Sequence, residues 1–312
     1  MNHAATNDEI VVEPATAADS ADALRLLLGR SPQTSIDDIL PEACLPGIAD
    51  LESKAVPGLF CATNANDPQK IIGVIWARHA MPGVHSIWQA FCRPKSRVVE
   101  SKLYEAIDTY LGSMPFRLAR ALADIESPFQ SRLAQIGFSH QTDIVSRLWQ
   151  PDAIATDWMP EGYSIHTLRP GQDDEFTQLM ERTYQQSLDC PDLVKLLTAK
   201  DLLKFYRAST FATQSSFFLL YAESDPAGCL VLTDMDNESL ELTYMGVAPS
   251  YRGNGLGRLL VNFAKERAYN GLARRLVVAV DRTNEPAWKI YEDAEFATYS
   301  TQALMVRTGP SA

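Results

Sequence analysis

The chain has 312 residues, of which 46% are hydrophobic and 21% charged, and it carries a formal net charge of −11. That length holds two domains of ordinary size. No apolar run approaches the roughly 18 residues of a bilayer-crossing helix, and an acidic chain is a poor partner for a phosphate backbone, so neither a membrane nor a nucleic acid is expected as a partner.

Residues 1–9 are polar and acidic, without the basic and apolar regions of an export signal, and a cytoplasmic location is expected. A strand at Ile10-Val11-Val12 leads to a helix from about Asp19 to Leu28, and an apolar strand covers Ile71 to Ala77. A strand from Phe116 to Leu122 then runs into Asp124, followed by Pro128, Leu133 and Phe138. The same order returns: a strand at Tyr163 to His166, a helix from about Asp173 to Tyr184, a strand at Ala227 to Leu232, and a strand from Arg275 to Val280 running into Asp281. Pro286, Tyr291 and Phe296 lie at one constant offset, 158 residues, from Pro128, Leu133 and Phe138. Such a series indicates an internal repeat. The aperiodic segment Gln150 to Asp157 joins the copies, which predicts domains at 1–150 and 151–312. Five cysteines (Cys44, Cys61, Cys92, Cys190, Cys229), odd in number and without a Cys-x-x-Cys pair, read as reduced.

In the second copy, a strand from Leu240 to Val247 is followed by the turn Ala248 to Tyr251, then by Arg252-Gly253-Asn254-Gly255-Leu256-Gly257, then by a helix. Leu256, Leu259, Leu260, Phe263 and Ala264 recur at helical spacing and form one apolar face. Strand, glycine turn and helix build an anion site: glycines allow close approach, and the unpaired N–H groups of the first helical turn point at the ligand. Arg252 and Arg258 add positive charge. The Gly-Lys-Ser/Thr ending of a P-loop is absent, and the spacing is not that of a dinucleotide site.

These residues resemble the GCN5-related N-acetyltransferases (GNAT). The family signature Arg/Gln-x-x-Gly-x-Gly/Ala is matched by Arg252-Gly253-Asn254-Gly255-Leu256-Gly257, preceded by Val247-Ala248-Pro249-x-Tyr251. A second signature is matched by Val280-Asp281-x-x-Asn284-x-x-Ala287-x-x-x-Tyr291-x-x-x-x-Phe296, with Ala294-Glu295 departing from the usual glycine before the Phe. The resemblance implies an α/β fold: two tandem domains, each a mostly antiparallel sheet with a splayed strand pair flanked by helices. It implies acetyl-CoA as acyl donor, without a metal. Backbone N–H groups from Gly253 to Arg258 would hold the diphosphate, and Met245, Gly246 and Val247 would pair with the pantetheine arm. An amine would attack the thioester directly, with Glu241 as candidate base and Tyr291 as the acid that protonates the CoA thiolate. Glu241 also reads as a plain surface carboxylate, Tyr291 as core, and Asn284 either as a cofactor contact or as a helix N-cap.

Aligned on this pattern, the first copy places Arg97 on Arg252, but Val98, Val99 and Glu100 stand where Gly253, Asn254 and Gly255 stand in the second, and Leu133 replaces Tyr291. The first copy therefore reads as degenerate, its Arg93, Lys95 and Arg97 either a residual anion site or a solvated turn. The expected function is acetyl transfer to the primary amine of a small molecule or peptide, by a monomer or homodimer. The competing reading is a CoA-binding regulatory or interaction module without turnover.

Overall fold

A computed structural model describes residues 9–27, 55–151, 159–208, 217–236 and 239–310. Residues 1–8, Leu28, Cys44 and residues 152–157, named above, lie outside the described residues. The protein is a mixed α/β chain with two compact units, Met1–His140 with Leu304–Ala312, and Gln141–Ala303.

The first unit contains β1 (Ile10–Pro14), α1 (Ser20–Leu27), β2 (Leu59–Asn64), β3 (Asp67–Met81), β4 (Val84–Cys92), α2 (Arg97–Gly112), β5 (Leu118–Asp124) and α3 (Pro128–Gln135). Strands β1 to β4 form an antiparallel meander, while β4 and β5 run parallel and pair only over Val84–Ser86 with Leu118–Arg120. Ala23, Leu24, Leu59, Val74 and Trp76 are the centre of one core cluster.

The second unit contains most of β6 (Ser139–Trp149), then β7 (Tyr163–Thr167), α4 (Asp173–Tyr184), the short α5 (Pro191–Val194), α6 (Ala199–Ala208), β8 (Phe217–Ala222), β9 (Asp225–Asp236), β10 (Ser239–Val247), α7 (Leu256–Asn270), β11 (Arg275–Asp281), α8 (Glu285–Asp293) and the start of β12 (Ala297–Thr308). Its strand order is β6-β11-β10-β9-β8-β7. The units do not divide at a single cut near residue 150. Strand β6, which follows the first copy's α3 in the chain, pairs antiparallel with β11, whereas Leu304–Ala312, at the far end of the chain, belongs to the first unit.

The repeat read from the sequence returns as matching hydrogen bonds. After α3, the Phe138 N–H donates to Leu133 O at 3.1 Å, and after α8 the Phe296 N–H donates to Tyr291 O at 2.9 Å. Gly137 (φ +83°) and Glu295 (φ +66°) fill the corresponding left-handed position, so a glutamate stands where the conformation favours glycine.

Simple alternation puts Leu240, Leu242 and Tyr244 on one face of β10. Leu242 packs with the α7 residues Leu256 and Leu260, but Tyr244 packs with the α4 residues Phe176, Leu179 and Met180. The β9–β10 register shifts between Leu242 and Tyr244, making Thr243 an extra residue, a bulge that reverses the parity of every side chain beyond it.

Candidate functional site

The site in the second unit begins where two parallel strands part. Strand β10 pairs with β11 from Ser239–Arg275 to Leu242–Val278 and no further, although β10 continues to Val247 and β11 to Asp281. Met245, Gly246 and Val247 keep their pairing to β9 on the other side. Their β11-facing edge therefore borders the gap, where main-chain groups without a β11 partner face an extended ligand.

The glycine turn closes one end of this gap. Gly253 (φ +81°) and Gly255 (φ +79°) are left-handed, and a Cβ built on either meets nothing within 4 Å. Both glycines are thus required by the backbone conformation, and the space in front of them is open. Gly255 is the N-cap of α7 and offers no side chain, so nothing from the cap bonds the N–H groups of the first turn. Gly257 serves packing instead: its Cβ would stand 2.7 Å from Ile290 Cδ1 of α8. Leu256 is buried in the core, and the Asn254 side chain donates to Tyr251 O at 3.3 Å.

The two arginines differ. Arg252 donates from Nε to Val247 O (3.0 Å), from Nη1 to Gln186 O (3.1 Å) and from Nη2 to Thr183 O (2.8 Å). It ties the turn to the end of β10 and to the end of α4. Arg258 is exposed and ion-paired with Asp293 at 2.6 Å. Of the two readings for Asn284, the capping geometry is present: it is the N-cap of α8, accepting from the Ala287 N–H at 3.3 Å.

Tyr291, on α8, is 4% exposed and packs against Phe296 with ring centroids 5.6 Å apart. Its hydroxyl has no hydrogen-bond partner among the described residues. Burial, and then the charge of Asp189, push the phenol well above its ordinary range, so it holds its proton at neutral pH and gives it only to a strong base. Glu241 lies on the α4 side of β10 opposite Thr233, with Thr243 Oγ1 3.3 Å from its Oε2 and 2.6 Å from Thr233 Oγ1. Desolvation raises its pKa, against which the Thr243 hydrogen bond works.

A second acidic group, not expected from the sequence, acts electrostatically on Tyr291. Asp281 ends β11, and burial opposes its ionisation, but hydrogen bonds from Thr142 Oγ1 (2.6 Å), Thr283 N (2.9 Å), Thr283 Oγ1 (2.8 Å) and Cys190 N (3.0 Å) outweigh that and hold the carboxyl below its usual range. The loop after α4 brings Asp189 beside it: ligand-type atoms of Asp189, Cys190 and Asp281 all lie within 4.8 Å of one another. Asp281 was legible only as the residue that ends a strand. Asp189 stands in an aperiodic loop with no signal of its own.

The first unit repeats the frame with other residues at the matching positions. Its turn has no left-handed residue between Arg93 and Arg97, and the Ser96 side chain caps α2 by accepting from the Val99 N–H at 3.3 Å. Val99 is buried, Glu100 faces Arg132 at 3.5 Å, and Leu133 is fully buried at the position matching Tyr291. A cavity of about 1230 Å³ lies beside this turn, lined among others by Arg93, Lys95, Arg97 and Glu126. Among the described residues, no helix is long and apolar enough to cross a membrane, and Cys61, Cys92 and Cys229 are free thiols.

A parted parallel pair on a mostly antiparallel sheet, with a glycine turn opening the next helix, defines a GNAT fold. Residues 176–296 match the acetyltransferase (GNAT) family, and the chain carries a GNAT acetyltransferase domain. It is 28% identical over 153 residues to human N-alpha-acetyltransferase 30, covering 46% of this chain and 41% of that protein. It is 28% identical over 162 residues to the mycothiol acetyltransferase of Acidothermus cellulolyticus, covering 48% and 50%. The matches thus span half or less of these curated relatives. Among solved structures, a GCN5-related N-acetyltransferase from Sphaerobacter thermophilus superposes with a TM-score of 0.68 at 16% identity, covering 97% of both chains. A tandem GNAT protein from the clavulanic acid biosynthesis pathway gives 0.61 at 14% identity, covering 97% of this chain and 100% of that one. At these identities the likeness concerns the fold alone, and the tandem arrangement is part of it.

Proposed function

We propose that the protein is an N-acetyltransferase that moves an acetyl group from acetyl-CoA to a primary amine, with the chemistry in the second copy and the first copy degenerate. The observation that carries this reading is the gap between β10 and β11, with the open glycine turn at one end. Acetyl-CoA fits these residues: its diphosphate suits the uncapped N–H groups from Gly253 to Arg258, and its pantetheine arm suits the free edge of Met245, Gly246 and Val247. The thioester then lies in the gap. An acceptor held there attacks the carbonyl directly, proximity lowers the barrier, and a β10 N–H stabilises the oxyanion. Tyr291 delivers its proton to the departing thiolate. Glu241, half-buried with a raised pKa, stands four residues before Met245 and is a candidate base.

The test is calorimetric titration of the protein with acetyl-CoA, compared with Gly255→Glu, which imports the carboxylate found at Glu100. One site per chain that vanishes in the variant supports the reading. Absence of binding to the wild type would sink it, and two sites per chain would show that the first copy had not lost its function.

A further inference from the structure

We propose that Asp189 is the carboxylate that receives the acceptor's ammonium group and takes its first proton. This inference rests on the acetyl-transfer reading above and narrows the acceptor to an amine that arrives as a cation.

The Asp189 N–H donates to Ser187 Oγ at 3.1 Å, and Cys190 follows in the left-handed region at φ +42°, its N–H directed at Asp281 Oδ2. A non-glycine residue with this φ is strained and persists only where its surroundings hold it. Here the effect of the turn is to set the Asp189 carboxylate against the end of β11, at the rim of the gap between β10 and β11. Two carboxylates then lie within 4.8 Å of each other. Asp281 is engaged by the hydrogen bonds described above and is structural. Neither carboxylate makes an ion pair with a Lys, Arg or His among the described residues.

A carboxylate pair with no cation is unfavourable unless one arrives. The groups facing Asp189 give the direction of arrival. Asp281 and Cys190 lie on one side, and the charge of Asp189 also reaches the Tyr291 and Tyr184 phenols. The Tyr291 phenol, on a side chain more than nine-tenths buried, has no hydrogen-bond partner among the described residues. Asp189 thus lies within electrostatic reach of the proton donor assigned to the leaving thiolate. Desolvation of its carboxyl group, then the Asp281 charge, push its pKa up to about 6, although much of the residue is open to solvent; a hydrogen bond from the Asp281 main chain acts the other way. An acid in that range is mostly ionised at neutral pH and is well matched to accept a proton and release it to water.

The step balances as follows. The ammonium gives one proton to Asp189, which passes it to solvent. The amine nitrogen attacks the thioester carbonyl carbon, the C–N bond forms and the C–S bond breaks. The thiolate takes the Tyr291 proton, and the surplus proton on the new amide nitrogen restores the phenol.

The experiment follows CoA thiol release from acetyl-CoA with two small nucleophiles: ethylamine, a cation at neutral pH, and hydroxylamine, which is largely uncharged there. Wild type, Asp189→Asn, Asp189→Glu and Glu241→Gln are compared across pH. With ethylamine, the rate is expected to rise with pH through about 6, because the ionised form of Asp189 is the base. Asp189→Asn should lower it on the order of 100-fold and abolish that limb, Asp189→Glu should restore part of it, and hydroxylamine transfer should fall far less. Equal losses with both nucleophiles, or a limb that survives in Asp189→Asn and disappears in Glu241→Gln, would overturn the proposal. Titration of protein labelled at the Asp carboxyl carbons decides it independently of turnover. A resonance absent from Asp189→Asn should titrate near pH 6 and shift on adding ethylammonium, whereas an ordinary carboxylate pKa with no shift would refute the assignment. Calorimetry with acetyl-CoA separates the two failures: loss of wild-type binding refutes the acetyltransferase reading itself, while intact binding with an indifferent Asp189 refutes only this inference.

Discussion

Replacing Arg252 with alanine tests whether the signature arginine acts on the ligand or on the protein. Its guanidinium bonds three backbone carbonyls, Val247 O, Gln186 O and Thr183 O, at 2.8–3.1 Å. Hydrogen bonds to a charged donor contribute about 1.5–3 kcal/mol each when well sheltered, but exposed groups give much less. Arg252 is exposed and only the Thr183 bond is part-buried, so the sum is roughly 2 kcal/mol. For a unit of this size, that corresponds to a melting temperature lower by about 4–8 °C. The turn also loses its tie to α4, so acetyl-CoA affinity should fall. That fall should be nearly independent of salt, because no phosphate contact is removed. Arg258→Ala removes only an exposed pair with Asp293 and should leave the melting temperature within a degree or so, while making acetyl-CoA affinity weaker and less dependent on salt. Scanning calorimetry and isothermal titration at two ionic strengths measure both. An Arg252→Ala protein that melts normally yet binds with a reduced salt dependence would refute the assignment of this arginine to the turn.

Other expectations follow from the same contacts. Tyr291→Phe should leave melting unchanged or slightly improved, because the buried hydroxyl it removes has no partner, while turnover with acetyl-CoA falls on the order of 100-fold or more at unchanged donor affinity; a wild-type rate would exclude Tyr291 as the acid. Glu295→Gly relieves a left-handed glutamate and should stabilise by about 1 kcal/mol in thermal denaturation. Asp281→Asn presents an amide where an acceptor is needed by Thr142, Thr283 and Cys190, and should cost about 3 kcal/mol at pH 7. Because the folded pKa of Asp281 lies below its unfolded value, its stabilisation is complete above the unfolded pKa and is lost as pH falls through the folded one. The gap in melting temperature between wild type and Asp281→Asn should therefore close in acid, and a gap that stays constant with pH would contradict this.

Much of the molecule is written locally in the chain. The spacing of Leu256, Leu259, Leu260 and Ala264 predicts α7, and all four side chains are buried there. Gly253 and Gly255 announce left-handed turns, and the repeat predicts the shared ends of α3 and α8, because these features depend on neighbours a few residues apart. The face of Tyr244 was not legible in that way, since a bulge at Thr243 is decided by how β9 registers against β10. Nor was the anchoring of Arg252, whose partners include Thr183 and Gln186, far away in the chain. The strand membership of the two units is likewise a tertiary result: β6 pairs with β11, and Leu304–Ala312 joins the first unit, although chain order suggests a cut near 150. Asp189 is the clearest case. By sequence it is one acid in an irregular loop, and only the fold brings it to Asp281 and Tyr291, because an electrostatic site is made by distances through space that residue spacing does not encode.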